Sequence, residues 1–466
     1  MEGTEMGSML LLDSSTLVLV VATLLLGAVI LAVGYVARKI SRSRENATAD
    51  KNGPPPRLVP EHLRSHNPVP VEGGMGVGGC LPRRVKNTRR REVQQEFTHP
   101  WMAGRDLKGH TAPVLDMDFS CNGKFLATCA QDRTVLLWCT KEFGSKERRS
   151  LRINIEFDHA TLIRWSPDGK AFIIHKAMAN TIEVYKVAKK GDGFLASATK
   201  ALEFPKRHVD DVVGMDIACT GKYIITCSTA NDLIIWDLKG QILGTVDMHL
   251  GTVHRARISP CGRFVAASGF TPDVKVWEVV FSKSGEFKQV SKAFDLAGHS
   301  SGVFDFGFSA DTAQTATVSK DGTYRFYDTK IEFEKGEDPH LLVTGSWKVA
   351  TPAVLSLSPN GEVLVIGHGS SLSFYITLTG AFDATIENIF TGSIKKIVFD
   401  AMGEHVFVAG DKHIKIFHNV TGYRATIEST KRKLQHKQTS ATKERLESTI
   451  AECKRFLENL GEPYNQ

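Results

Sequence analysis

One phrase constrains the fold more than any other part of the chain. Residues 109–138 read GHTAPVLDMDFSCNGKFLATCAQDRTVLLW. The phrase opens on Gly109-His110 and continues with a hydrophobic strand, an Asn-Gly turn, a second strand, a turn containing an Asp, and a third strand that ends in Trp138. Weaker copies recur to about residue 422, which is typical of repeat architectures. Such a repeat favours a rigid binding platform over an enzyme.

Seven copies of uneven quality follow one another along the chain. Each copy offers three short strands, with a turn signal between the first two. The copies span residues 107–140, 157–187, 206–240, 248–280, 296–330, 351–380 and 391–422.

The repeated phrase resembles the repeat unit of the WD40 family. The resemblance implies an all-β fold, a seven-bladed WD40 β-propeller, in which each copy begins with the outer strand of the previous blade. By that logic the segment at residues 96–106 should complete the seventh blade. Closing the ring in this way removes the exposed edges that an open sheet would have.

The WD40 resemblance also implies a structural hydrogen-bond set of His, Thr, Asp and Trp in each complete copy. The set is complete only in the first copy and is partly matched in the fifth, and its members are His110, Thr128, Asp132 and Trp138, then His299, Thr317 and Asp321. In the fifth copy Tyr327 replaces the Trp, and in the third copy Ala230 stands where the Asp belongs. His, Asp and a hydroxyl invite comparison with a catalytic triad, but in the family they lie beneath the blade surface, so we interpret them as structural.

The sequence offers no pattern for chemistry. It contains no nucleophile elbow, phosphate-binding loop or metal-ligand spacing, and its eight cysteines form no CxxC pair. We therefore predict a protein that is not an enzyme and has no cofactor, metal or small-molecule substrate. Several cysteines fall at strand positions, where buried free thiols are expected rather than disulfides, which favours a reducing compartment for the domain.

An apolar segment near the N-terminus predicts a membrane anchor. Residues 17–37, from Leu17 to Ala37, contain no charge, and as a helix they span about 31 Å, close to a bilayer core of about 30 Å. The alternative is a cleaved signal peptide, but the acidic segment at residues 1–16 has no Lys or Arg, so we favour a retained transmembrane helix.

Charged flanks predict the orientation of that helix. Four basic residues follow it directly: Arg38, Lys39, Arg42 and Arg44. The positive-inside rule places this side, and with it the propeller, in the cytosol. Two glycosylation sequons, at Asn46 and Asn419, leave the opposite topology open, because Asn419 could carry a glycan in a lumen.

The linker at residues 38–93 is rich in Pro and Gly and is predicted to be disordered. Residues 38–99 hold 13 Lys and Arg against 6 Asp and Glu, which accounts for the whole net charge of +7. A basic cluster lies near the end of the linker: Arg83, Arg84, Lys86, Arg89, Arg90 and Arg91. Either it is a solvated linker, or it contacts RNA, the ribosome or anionic lipid.

A helical tail at residues 425–466 follows the propeller at residues 94–424. In residues 442–460 the apolar positions advance by four, three, four and three, which predicts an amphipathic helix, and they are Leu446, Ile450, Cys453, Leu457 and Leu460. This helix either packs on the propeller or meets a partner helix in a short coiled coil.

Four phrases sharpen the resemblance to a family of membrane-anchored WD40-repeat proteins. They are NGKFLATCA at residues 122–130, DHATL at 158–162, SPCGRFVA at 259–266 and GFTPDVKVWEV at 269–279. The resemblance implies a scaffold at the endoplasmic-reticulum membrane. It also implies association with the stress-activated kinase of translation initiation factor 2, in the unfolded-protein response, and links to translation and RNA binding. Two other functions stay open: an RNA- or ribosome-binding regulator of translation, and a propeller that promotes nucleotide exchange on a membrane GTPase.

Overall fold

A computed structural model of the chain describes residues 97–145, 148–191, 193–349 and 353–464. The predicted transmembrane helix at residues 17–37, the linker at residues 38–93 and the basic cluster lie outside these ranges. Within them, no helix combines the length and the apolar character that a membrane crossing requires.

Seven antiparallel sheets of four strands each form the domain, so the predicted seven-bladed β-propeller is confirmed. The strands of blades 1 to 3 are Val114–Phe119, Phe125–Ala130, Thr134–Cys139 and Ser150–Asn154; Ala160–Trp165, Ala171–Lys176, Thr181–Lys189 and Leu195–Glu203; and Val212–Ile217, Ile224–Ser228, Asp232–Trp236 and Ile242–Asp247. Those of blades 4 and 5 are Val253–Ile258, Phe264–Gly269, Val274–Phe281 and Phe287–Leu296, then Val303–Phe308, Gln314–Ser319, Thr323–Asp328 and His340–Ser346. Those of blades 6 and 7 are Ala353–Leu357, Val363–His368, Ser371–Ile376 and Ala381–Ile386, then Lys396–Phe399, His405–Ala409, His413–His418 and Leu107–Lys108. Two short 3-10 helices lie at Thr140–Glu142 and Phe333–Lys335.

The first strands of the blades contact one another in sequence, and blade 7 contacts blade 1, so they form a ring around a central channel. Because successive strands of a blade are antiparallel, their connections alternate between two faces. The upper face carries the loops that enter each first strand and those that join second to third strands. The lower face carries the turns that join first to second and third to fourth strands.

A recurring polar turn joins the first and second strands at the lower face. In blade 1, Asn122 Oδ1 accepts hydrogen bonds from Ser120 Oγ at 2.9 Å and from the Lys124 N–H at 3.0 Å. Gly123 follows with a φ of +66°, in the left-handed region that glycine tolerates best. The Ser-x-Asn/Asp-Gly pattern of the sequence therefore forms this turn locally, before any contact between blades.

The segment that precedes the first repeat closes the ring, as the resemblance implied. Leu107 and Lys108 pair with Ile414 and His413 in the third strand of blade 7. Upstream, the His418 N–H donates to the Trp101 carbonyl at 2.7 Å. The pairing therefore extends from residue 101 to residue 108, two residues beyond the predicted end of this segment.

Two helices follow the propeller, where the sequence predicted one. Helix α1 is Val420–Leu434 and helix α2 is Ser440–Asn459, the helix predicted at residues 442–460. The first helix begins inside the seventh copy, where Asn419 Oδ1 caps it by accepting the Gly422 N–H at 3.0 Å. Its buried residues are small or hydroxyl-bearing for the most part, and for that reason it lacks the spacing of large apolar residues that predicts a helix: Val420, Thr421, Ala425, Ile427 and Thr430.

The helices pack on blades 6 and 7. Cys453 and Leu457 of α2 are buried in one cluster with Trp101 and Phe374. The Arg424 guanidinium of α1 pairs with Asp383 at 3.0 Å. Of the two alternatives for α2, the structure shows packing on the propeller for its C-terminal half.

Candidate protein-binding face

The hydrogen-bond set of the first copy lies beneath the upper face of blade 1. His110 Nε2 lies 2.8 Å from Thr128 Oγ1, and His110 Nδ1 lies 3.1 Å from Asp132 Oδ2. The Trp138 indole N–H donates to the same Thr128 Oγ1 at 3.1 Å. Burial lowers the pKa of His110 although Asp132 opposes the shift, so the imidazole is neutral at pH 7. The set connects loop, turn and strand within one blade.

The fifth copy has the same arrangement. His299 lies 2.8 Å from Thr317 Oγ1 through Nε2 and 3.0 Å from Asp321 Oδ2 through Nδ1. Tyr327 stands in place of the Trp, and its hydroxyl donates to the Ala297 carbonyl at 2.8 Å instead.

The third copy corrects the expectation that only the first copy is complete. His208 Nε2 lies 2.7 Å from Thr226 Oγ1, which also accepts the Trp236 indole N–H at 2.8 Å. Asp232 Oδ2 lies 2.5 Å from His208 Nδ1. This Asp stands four positions before the Trp rather than six, at the start of the third strand. In blade 1 the residue four positions before the Trp is Thr134, and its Oγ1 lies 3.2 Å from His110 Nδ1. A side chain at this position, like one six positions before the Trp, can therefore contact the Nδ1 of the His.

A second set of polar residues, missed at the level of sequence, joins the first strands around the channel. Carboxylates in blades 1, 3 and 5 accept backbone N–H groups from the next blade at 2.8 to 3.1 Å, and the pairs are Asp116 with Ile163, Asp118 with Trp165, Asp216 with Ile258, and Asp305 with Leu355. Asp116 also pairs with Arg164 at 2.5 Å and with Lys396 at 3.0 Å. The signal in the sequence was an Asp inside strands that are otherwise apolar.

Burial and charge partners set the ionisation of this ring. Burial alone would raise the pKa of Asp116, but Arg164 and Lys396 outweigh it and hold the pKa well below its usual range. Asp118, two residues away, has its pKa raised to about 6, chiefly by burial. Burial lowers the pKa of Lys396 to about 8. Near the lower face, Asp118, Arg164 and Lys396 line a cavity of about 330 Å³. These charged side chains therefore stabilise the contacts between neighbouring blades.

The upper face presents an apolar triad, formed by Phe157, Met178 and Val209. The exposed fractions of these residues are 88%, 77% and 90%. Each lies on a different loop: Phe157 and Val209 precede the first strands of blades 2 and 3, and Met178 joins the second and third strands of blade 2. Large apolar side chains exposed together mark interaction sites on soluble domains.

Two polar side chains fix the three loops that carry the triad. The Asp158 carboxylate accepts the N–H groups of Met178 and Ala179 at 3.0 and 2.9 Å. Asn180 Nδ2 donates to the carbonyls of His208 and Asp210 at 3.1 and 2.9 Å, on either side of Val209. Since these bonds order the loops before any partner arrives, binding would cost little conformational entropy.

Two of the loops that carry the triad have an unusual backbone conformation. Phe157 and Asn180 have φ values of +57° and +54°. A bulky aromatic residue in the left-handed region costs on the order of 1 kcal/mol and persists where the surroundings fix it. Here the Asp158 bonds fix the loop, so a strained Phe is held in solvent, which points to a binding role.

No pattern in the sequence indicated which face binds a partner, and the triad was not among the predicted residues. Its only signal was one large apolar residue in each of three polar loops, FDH, MAN and HVD. Their proximity depends on Asp158 and Asn180, whose partners lie 20 to 30 residues away. Among the residues that the structure describes, no group of three or more His, Cys, Asp or Glu is arranged to hold a metal ion.

Comparisons with known proteins agree with the fold. Residues 103–139 and 290–328 match the family described as WD domain, G-beta repeat. The chain is 43% identical over 388 residues to human Transducin beta-like protein 2, a match that covers 82% of this chain and 87% of that protein. It is 42% identical over 387 residues to the mouse protein of that name, with the same coverage. The match to the rice Chromatin assembly factor 1 subunit FAS2 homolog is weaker, 25% over 161 residues, and covers 33% of this chain and 31% of that protein. From its seven blades and its similarity to the human and mouse proteins over most of their length, the chain belongs to the transducin beta-like protein 2 family of WD40-repeat proteins.

Proposed function

We propose that this chain is a non-catalytic scaffold at the endoplasmic-reticulum membrane that binds protein partners through the apolar triad of its upper face. The observation that carries the proposal is the fixed exposure of Phe157, Met178 and Val209 on loops joined by Asp158 and Asn180. By the family resemblance, the partner is the stress-activated kinase of translation initiation factor 2, and the setting is the unfolded-protein response.

Substitution of the triad tests this proposal. The variant combines Phe157→Asn, Met178→Ser and Val209→Ser, with Asn chosen because it tolerates the left-handed backbone. The matched control combines Met402→Ser and Leu238→Ser, two exposed apolar residues of the lower face. We expect the triad variant to capture the kinase at least about tenfold less well than the wild type, the effect of losing about 1.4 kcal/mol of binding free energy. Unchanged capture by the triad variant, or an equal loss in the control, would contradict the proposal.

We also propose that residues 17–37 span the membrane and that the propeller faces the cytosol. The Asn419 sequon does not oppose this orientation, because the residue is buried and its Nδ2, the atom that a glycan would modify, donates to the Gly403 carbonyl at 2.8 Å. Protease added to sealed microsomes should digest the propeller, and Asn419 should carry no glycan. A protected, glycosylated propeller would reverse the topology and remove every cytosolic partner.

A second candidate function is RNA or ribosome binding through the basic cluster, which places six basic residues within residues 83–91. If the cluster contacts about six phosphates, raising the salt concentration from 50 to 200 mM should weaken RNA binding by roughly a thousandfold. Deletion of residues 83–91 should abolish such binding. RNA binding that persists at high salt without this segment would exclude the basic cluster as the site.

A further inference from the structure

The lower-face turn between first and second strands is built to hold an acceptor at its third position. In four blades that residue is an Asn or Asp whose Oδ1 lies 2.5 to 2.9 Å from a Ser Oγ and 3.0 to 3.2 Å from a backbone nitrogen, and these residues are Asn122, Asp168, Asp311 and Asn360. The bonds favour a negative charge. The Ser166 hydroxyl lowers the pKa of Asp168, and the Ser309 hydroxyl lowers that of Asp311, each with help from the backbone.

In blade 4 the third position of this turn is a cysteine. The turn is Ser259-Pro260-Cys261-Gly262, and Cys261 Sγ lies 3.2 Å from Ser259 Oγ. Burial would raise the pKa of Cys261, but hydrogen bonds from Ser259, from the N–H groups of Arg263 and Phe264 and from Thr312 outweigh it, so the pKa is lowered. Cys261 is nevertheless exposed. An accessible thiol that ionises more readily than an ordinary one is the kind that electrophiles and oxidants attack.

A second exposed thiol lies beside this turn. Cys219 is the second residue of the corresponding turn in blade 3, and a Cβ on Gly262 would lie 2.9 Å from Cys219 Sγ. The Tyr223 hydroxyl of blade 3 donates to the Gly262 carbonyl at 3.2 Å and so joins the two turns. The pKa of Cys219 is raised, first by burial and then by Cys261 and Cys121, so Cys219 keeps its proton at neutral pH. Cys261 is therefore the more nucleophilic of the two thiols, and Cys219 is a protonated second thiol beside its turn.

We propose that Cys261 is an oxidation site for hydrogen peroxide and that Cys219 resolves the oxidised form as a disulfide between blades 3 and 4. In the first step Cys261 Sγ, as the thiolate, attacks one peroxide oxygen and the O–O bond breaks. The departing hydroxide takes up a proton to form water, and the sulfur becomes a sulfenic acid. In the second step Cys219 Sγ attacks Cys261 Sγ, the S–O bond breaks, and water leaves with the Cys219 proton. Peroxide is reduced by two electrons, and the two thiols are oxidised by two.

The blade 1 turn supplies a control within the same molecule. Cys121 is also exposed and also lies in a lower-face turn, but at the second position, where the turn does not direct its donors. At pH 7 we expect iodoacetamide to label Cys261 several-fold faster than Cys121 in the reduced full-length chain, read for each cysteine by peptide mass spectrometry. Equal rates would overturn the proposal, and this comparison needs no substitution.

Peroxide treatment of the full-length chain in the presence of dimedone, which traps sulfenic acids, tests the second step. The wild type and Cys121→Ser should form a Cys219–Cys261 disulfide that a reductant reverses. Cys219→Ser should instead accumulate several-fold more dimedone on Cys261, and Cys261→Ser should show neither product. A disulfide from Cys261 to Cys121, or an unchanged dimedone level in Cys219→Ser, would overturn the role of Cys219. Circular dichroism of each variant would confirm that its fold is intact.

Discussion

At the scale of single residues, identical side chains on one strand behave in opposite ways because of what lies opposite them. Asp116 forms ion pairs with both Arg164 and Lys396, whereas Asp118 accepts one backbone N–H, and the nearby Arg164 lowers its pKa by less than burial raises it. The sequence shows two Asp residues in LDMDF but not their partners, because Arg164 and Lys396 lie in other blades. The His110 set was predictable because all of its members lie within one repeat.

We predict opposite effects of Asp116→Asn and Asp118→Asn. The pKa of Asp116 is lowered in the folded state, so its charge stabilises the fold above about pH 4. Its loss leaves two cations without their carboxylate and should cost about 3–5 kcal/mol at pH 7.5.

The pKa of Asp118 is raised to about 6, so the fold loses stability as the pH rises from about 4 to about 6. Asn can still accept the Trp165 N–H without that cost. Because Asp118 is only partly buried and borders the cavity, solvent should screen its charge, and we expect Asp118→Asn to gain about 1 kcal/mol at pH 7.5 and nothing at pH 4. Urea unfolding at both pH values measures the two effects, and equal destabilisation by both variants would contradict this account.

At the scale of elements, a helix could be predicted from the sequence when the side chains that it buries are large and apolar. Helix α2 buries Cys453 and Leu457, whose regular spacing is visible in the sequence. Helix α1 buries mostly small residues and depends on its Asn419 cap and on Asp383, so its spacing carries no such signal. Likewise, the sequence predicts the strands that alternate with Asn-Gly or Asp-Gly turns. It does not predict which loops Asp158 and Asn180 join.

We predict that two Leu→Ala substitutions in α2 differ sharply. Leu457 is 0% exposed and belongs to the cluster of blades 6 and 7, so Leu457→Ala should cost about 2–5 kcal/mol. Leu446→Ala changes the helix propensity by the same amount as Leu457→Ala does. Leu446 is half-exposed, however, so little buried surface is lost and the cost should stay below about 1 kcal/mol. Thermal or denaturant unfolding gives both values. A large loss for Leu446→Ala would indicate that the N-terminal half of the helix has a partner after all.

At the scale of the whole molecule, the repeat count fixed the architecture, because seven copies that each bury one face leave few alternatives to a ring. The copies did not reveal the upper-face triad or the lower-face thiols. Both arise where neighbouring blades bring together residues that the repeat pattern leaves free to vary.

We predict that closure of the ring decides whether the domain folds. A chain that begins at Glu92 keeps the whole closing segment, whereas one that begins at Gly109 lacks Trp101 and Leu107, both buried, and the fourth strand of blade 7. The first should unfold in one cooperative transition. The second should lose that transition or self-associate through the unpaired edge of blade 7. Calorimetry and size-exclusion chromatography compare them, and equal melting temperatures would show that closure contributes little.

The same closure sets an order of events during synthesis. The bond between Asp106 and Lys415 joins residues 309 positions apart in sequence. At roughly 5–20 residues per second, the ribosome needs about 15 to 60 seconds to make the intervening chain. Until then the segment with Trp101 and Leu107 has no strand to pair with, and blade 1 has no seventh blade beside it. The nascent chain therefore passes through an interval in which the closing segment of the propeller has been made but its partner strand has not, and a chaperone that shields this segment would act at that point.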